Sequence, residues 1–224
     1  MKALLIVSKG LETSAQKEIT SLVKAQSKIE DHVVISEVSR EDICLLAYKM
    51  QTVDGVGELL ASFSYSSEED LLSKAEVAVK KIDWKGWVEG KTTFRVSGTT
   101  RDTPVAREET AAEVGGFILD QDKQLQVKLE NPDLNILLLV TAKKAYLAVD
   151  YAGRDLHKRD YKIFPNPSSL RGTIAAGLLR IAEWKTKEVL LDPFAQSGEV
   201  CIEAALLQTN TSVNYYSKEK FAFK

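Results

Sequence analysis

Strand-like and helix-like periodicities take turns along almost the whole chain, and this alternation is the tightest constraint on its fold. Lys2–Val7 reads as a strand, and Ser8-Lys9-Gly10 turns the chain. Leu11–Gln26 repeats Ala15, Ile19, Leu22 and Val23 at helical spacing. His32–Val38 alternates like a second strand through Val34, Ser36 and Val38. Arg40–Met50 puts Ile43, Leu46, Ala47 and Met50 on one helical face, and Glu58–Tyr65 reads as a further strand. A period near 3.6 marks a half-buried helix and a period of 2 a half-buried strand. The resulting β-α-β-α-β run predicts a small α+β unit of ferredoxin-like type.

The same alternation restarts at residue 66. Ser66 or Ser67 can cap a helix whose first turn holds Glu68, Glu69 and Asp70, which favours the helix dipole. Leu71, Leu72, Ala75, Val79 and Ile82 form its apolar stripe. A strand over Thr92–Ser97 follows, then a helix over Val105–Leu119 containing Gly115-Gly116. Glycine in a helix costs about 1 kcal/mol relative to alanine, so close packing is expected there. Leu125–Leu129, Asn135–Thr141 and Ala145–Tyr151 read as three more strands. Pro165-Asn166-Pro167 reads as a linker. Beyond it, a helix over Leu170–Trp184 capped by Ser168 or Ser169, a buried strand over Glu188–Leu191, a loop over Asp192–Gly198, a helix over Glu199–Gln208 and a strand beginning at Ser212–Tyr216 form the opening of a doubly wound sheet. The fold class is therefore α/β.

Composition narrows the function. Cys44 and Cys201 cannot build a disulfide framework, which points to the cytoplasm. His32 and His157 with those two cysteines make no zinc spacing, so no metal is expected. No apolar run approaches the ~20 residues needed to span a bilayer. The formal net charge of −2 conceals an asymmetry: residues 141–187 hold ten Lys/Arg and four acids, leaving −8 on the remainder. A basic block on a nearly neutral chain can bind a polyanion locally or can be a solvated face. The loop after Leu191 matches neither of the glycine-rich nucleotide signatures, although the carboxyl end of a parallel strand is where α/β sheets place ligands.

Several ordered motifs resemble one family. Val189-Leu190-Leu191-Asp192-Pro193-Phe194-Ala195-Gln196-Ser197-Gly198, followed by Ile202-Glu203-Ala204-Ala205, resembles the cofactor loop of THUMP-domain RNA methyltransferases. Leu156-His157-Lys158-Arg159-Asp160-Tyr161-Lys162 resembles the run leading from THUMP into the enzyme domain, and Ser169–Ala176 its first packing helix. Val127–Asp133, Phe94-Arg95-Val96 and Glu113-Val114-Gly115 resemble the THUMP core. The resemblance implies a ferredoxin-like unit over 1–65, a THUMP domain over 66–155, a linker over 156–167 and an incomplete Rossmann-like methyltransferase start over 168–224. It also implies S-adenosylmethionine as donor and RNA, in particular tRNA, as acceptor, with the guanine N2 amine as the methylated atom.

Carried over by position, Asp192, Phe194, Ser197 and Gly198 would line the cofactor loop. Arg95, Arg101, Arg107, Lys143, Lys144, Arg154, Lys158, Arg159 and Lys162 are the candidate RNA contacts. Tyr151, Tyr161 and Phe164 lie near the basic block and are either stacking platforms or core. His157 is expected to pack or make a structural hydrogen bond, and Cys201 to face the core. This loop departs from the family at Ala195-Gln196, where Cys-Gly is usual, and at Glu199, which replaces Thr. The Asn/Asp-Pro-Pro-Tyr motif that would hold the target amine does not occur in the 224 residues, so no catalytic residue is assigned. Two other readings stay open: an RNA-binding adaptor with a degenerate loop, and an interaction module whose apolar helices are covered by a second chain or another copy.

Overall fold

The computed structural model describes residues 1–163 and 167–223. The chain forms two compact units, Met1–Val56 with Tyr151–Lys224, and Gly57–Asp150. In the first, β1 (Lys2–Val7), α1 (Glu12–Val23), β2 (Ser27–Glu30), β3 (Val33–Glu37), α2 (Arg40–Lys49) and the start of β4 (Val53–Ser64) follow one another. The strands lie in the order β2-β3-β1-β4, with β3 antiparallel to both β1 and β2. This β-α-β-β-α-β arrangement is the ferredoxin-like plan. β1 is buried from Ala3 to Val7, as its unbroken apolar run requires. α2 opens on a capping box in which Ser39 accepts from the Asp42 amide and Asp42 accepts from the Ser39 amide.

β2 is an addition to the sequence reading. It has one apolar residue, Ile29, itself 40% exposed, so it shows no alternation to detect. Its presence ends α1 at Val23 instead of Gln26. β4 also begins five residues before Glu58, because Gly55 and Gly57 interrupt its apolar pattern.

In the second unit, β4 continues and is followed by α3 (Glu68–Lys80), β5 (Thr92–Thr100), α4 (Arg107–Leu119), β6 (Leu125–Val127), β7 (Leu134–Val140) and β8 (Lys144–Asp150). The order is β4-β8-β7-β5-β6. β8 runs antiparallel to β4 and β7, while β5 is parallel to β7 and β6. Ser64, Thr100 and Val140 therefore end their strands at one edge, where β8 begins with Lys144. Leu71, Val79, Phe94, Val114, Ile118, Ile136 and Leu138 are buried. Gly115-Gly116 is not a tight packing point. A Cβ on Gly115 would meet Val96 Cγ2 at an ordinary 3.7 Å, and one on Gly116 would meet nothing within 4 Å.

The last third holds α5 (Gly172–Ile181) and α6 (Glu199–Gln208). Two strands expected there are absent among the described residues. Residues 188–191 form no ladder, with Val189 97% and Leu191 83% exposed. A strand exists only against a neighbour that takes up its N–H and C=O groups, and none lies beside this run. Residues 212–216 form a turn instead, because the Ser212 hydroxyl (2.5 Å) and the Asn214 side-chain Nδ2 (3.0 Å) both donate to the Tyr48 carbonyl. α5 starts at Gly172 with Arg171 as its cap residue and no side-chain cap. Ser169 accepts from Lys162 Nζ at 3.1 Å instead. The expected linker at 165–167 lies mostly outside the described residues, as does Phe164. No helix is long and apolar enough to cross a membrane among the described residues.

Candidate functional site

The loop between residues 192 and 198 is folded on itself by short-range bonds. Asp192 Oδ1 accepts from the Phe194 amide at 3.0 Å, and the Gly198 amide donates to the Ala195 carbonyl. Gly198 is the cap residue of α6 at φ 75°, in the left-handed region, and a Cβ there would meet nothing within 4 Å. Backbone can thus be approached from outside at the point where the first-turn N–H groups of α6 point outward. Gln196 also sits at positive φ, 37°. A side chain other than glycine is strained in that region, so the departure from the family's glycine carries a local cost. Phe194 is 85% exposed and Ser197 is exposed, while Asp192 is partly covered.

Glu199 does not face this opening. Its carboxylate is buried and paired with Lys162 Nζ at 3.0 Å. Burial pushes the Glu199 carboxyl up, but Lys162, its own backbone amide and Ser169 together hold it below the usual carboxylate range. The negative charge that Glu199 brings in place of Thr is therefore compensated inside the protein.

One turn further along α6, Glu203 is completely buried. Arg159 Nε donates to its Oε1 at 2.7 Å, Tyr161 Oη to the same oxygen at 2.8 Å, and Gln51 Nε2 to its Oε2 at 3.0 Å. Arg159 spends its remaining donors on the carbonyls of Leu156 (2.7 Å) and Gln51 (2.6 Å). Burial pushes the Glu203 carboxyl up against the pull of these donors. Gly172 is required beside them, since a Cβ there would collide with the Arg159 side chain and with Glu203. Burial followed by the Glu203 charge raises the Tyr161 phenol far above its ordinary value, so it remains a donor.

This corrects several expectations. Arg159 is buried and fully engaged, so it cannot meet RNA in this fold. Lys162 is committed to Glu199, Ser169 and the Leu170 carbonyl. Arg154 pairs with Asp160 at 2.8 Å and donates to the Lys158 carbonyl. Only Lys158 of this group is broadly exposed, and it pairs with Asp155 at 2.7 Å. Sequence showed the sign of these charges but not the carboxylates folded against them. Tyr151 is buried and offers no stacking face, while the half-buried Tyr161 donates its hydroxyl to Glu203. His157 is half-buried, and its burial pushes the imidazole below its usual value. Cys201 is exposed, because α6 turns Glu199, Glu203 and Ala204 inward. Glu203 and Gln51 were not anticipated as site-forming residues. The Glu199/Glu203 spacing of four on a helix was the available signal.

In the second unit, three basic candidates share one sheet edge. Arg101 follows β5, and its amide bonds to the Val140 carbonyl at 2.9 Å. Lys143 lies in the β7–β8 turn and Lys144 opens β8. The same edge receives the first turns of α3 and α4, and Arg107 opens α4 as an exposed side chain paired with Glu108 at 2.8 Å. Arg95 stands apart, opposite Asn135 and near the other end of β5, where its Nη1 donates to the Leu129 carbonyl at 3.1 Å.

Comparison with known proteins matches two stretches of the chain to known domains. Residues 65–150 match the THUMP domain, and residues 159–223 match the RMKL-like methyltransferase domain. The tRNA (guanine(6)-N2)-methyltransferase of Archaeoglobus fulgidus is 31% identical over 90% of this chain and 52% of its own length. The crystal structure of TrmN from Thermus thermophilus superposes with a TM-score of 0.67 at 25% identity, over 94% of this chain and 63% of that one. That of SMU.472 complexed with SAH gives 0.77 at 18% identity, over 99% and 59%. The chain thus spans about half the length of the curated relatives it matches.

Proposed function

Because this chain joins a THUMP domain to part of an RMKL-like methyltransferase domain, as THUMP-containing RNA methyltransferases do, we propose that it is the RNA-binding and donor-side portion of a tRNA guanine-N2 methyltransferase. The observation that carries the RNA half is the shared edge of Arg101, Lys143 and Lys144 beside the starts of α3 and α4. Clustered cations gain by releasing the counterions of a phosphate backbone. Arg107 flanks this edge, while Arg95 lies near the other end of β5.

The donor half rests on the 192–198 loop. The open, left-handed Gly198 at the start of α6 lets the carboxylate end of S-adenosylmethionine approach closely, and Phe194 is exposed to pack on it. S-adenosylmethionine would supply an activated methyl group. The task of the protein is to hold donor and amine in line, which needs positioning more than covalent help.

The test is tRNA binding across a salt series, comparing the natural chain with an Arg101→Ala, Lys143→Ala, Lys144→Ala variant. Each lost phosphate contact lowers the slope of log K against log salt by about 1, so the variant's slope falls by about 3 if all three touch phosphate. An unchanged slope and affinity overturns the assignment of this edge.

A further inference from the structure

We infer that Arg159, Tyr161 and Lys162 are positioning residues for the 192–198 loop, acting through the two buried acids of α6. This rests on the reading of that loop as the donor site. Gly198 is both the last residue of the loop and the cap residue of α6, so whatever fixes the rotation and height of the helix also fixes the end of the loop. The buried residues of α6 are Glu199, Glu203 and Ala204. The acids stand one helical turn apart, about 6 Å along the axis. Each is met by a cation from the short stretch 156–162: Lys162 on Glu199 at 3.0 Å and Arg159 on Glu203 at 2.7 Å.

Apolar contact alone would not hold the helix this way. It is non-directional, so a helix resting on it can turn or slide at little cost. Charged hydrogen bonds at 2.7–3.0 Å have narrow tolerance in distance and angle. A turn of α6 by one residue rotates both acids about 100° away from their partners. The cations are themselves fixed from several sides. Arg159 is held by the carbonyls of Leu156 and Gln51, and Lys162 by Ser169 and the Leu170 carbonyl. Gln51 adds a direct bond from the ferredoxin-like half to Glu203. The 156–162 stretch, basic in sequence, is thus turned toward the methyltransferase helix, and the positive charge of Arg159 and Lys162 is spent on orienting it.

The test is residue-resolved amide hydrogen exchange on the full chain. Lys162→Met keeps the buried alkyl chain and removes the charge, and Lys162→Arg keeps the charge. Tyr161→Phe removes one bond to Glu203 with little change of volume. In Lys162→Met, exchange at Gly198 and Ile202, at the start of α6, should rise about tenfold relative to Thr209 at its end and to Ala148 in the second unit, whereas Lys162→Arg stays near the natural rates. Tyr161→Phe should move the same two amides in the same direction by a smaller factor. An unchanged Gly198 and Ile202 in both Lys162→Met and Tyr161→Phe, or a rise shared equally by Thr209 and Ala148, overturns the inference. The donor reading is checked separately by adding SAH to the natural chain. An unmoved Gly198 resonance counts against that reading while leaving the exchange result standing.

Discussion

Glu203 has no exposed surface and three side-chain donors, and its behaviour on mutation should reveal how such a centre is balanced. Removing one partner of a buried pair leaves the other charge stranded at a cost of about 3–5 kcal/mol. Arg159→Met should therefore lower unfolding free energy by about that amount in urea titrations, whereas Lys158→Met, on a surface pair, should change it by less than about 1 kcal/mol. Asp160 gives the pH counterpart. Its pairing with Arg154, then Lys220 and Ser217, holds its carboxyl well below the usual carboxylate range. A folded value below the unfolded one means that the carboxylate stabilises the fold above the ordinary carboxylate range. That contribution fades as pH falls toward the folded value. The stability gap between natural protein and Asp160→Asn should thus be full at pH 7 and shrink below about pH 5 in thermal melts. Sequence disclosed the charge of Arg159 and Lys162 but not their partners, which lie 44 and 37 positions away and meet them only through tertiary packing.

At the level of elements, local signals were read well where they were local. α3 begins where Ser67 can cap it, and its side chain accepts from the Asp70 amide at 3.2 Å. Ser67→Ala should cost about 1 kcal/mol in chemical denaturation, the usual value of such a cap. β1, α2 and α6 stand within one residue of the bounds their periodicity suggests. The misses have physical causes. β2 is an edge strand, stabilised by its ladder to β3 and not by a buried face. Residues 188–191 have the composition of a buried strand, yet composition supplies no neighbour to pair with. The loop departures at Gln196 and Glu199 were legible as substitutions. Only the fold shows that one is carried at positive φ and the other is turned inward to Lys162.

Across the whole molecule, large apolar side chains are exposed in several places, the last third of the chain among them. Leu178, Ile181, Val189, Leu191 and Phe194 are between 45% and 97% exposed. Surfaces of this kind seek cover when they form a contiguous patch. The isolated chain should self-associate with rising concentration in sedimentation velocity, and Leu191→Ser with Phe194→Ser should weaken that association. A monomer at all concentrations would place these side chains in isolation on the surface. The first unit is also assembled from both ends of the polypeptide, with Arg180 on Glu18, Thr173 on Asp54 and Glu203 on Gln51. During synthesis, the first fifty-six residues emerge from the ribosome long before the segment that neutralises and seals them. The contacts of Glu18, Gln51 and Asp54 with that segment therefore close last, while the intervening module is free to mature first. Such late closure of distant contacts slows folding, and it makes the nascent amino-terminal quarter the stage at which a chaperone would have most to hold.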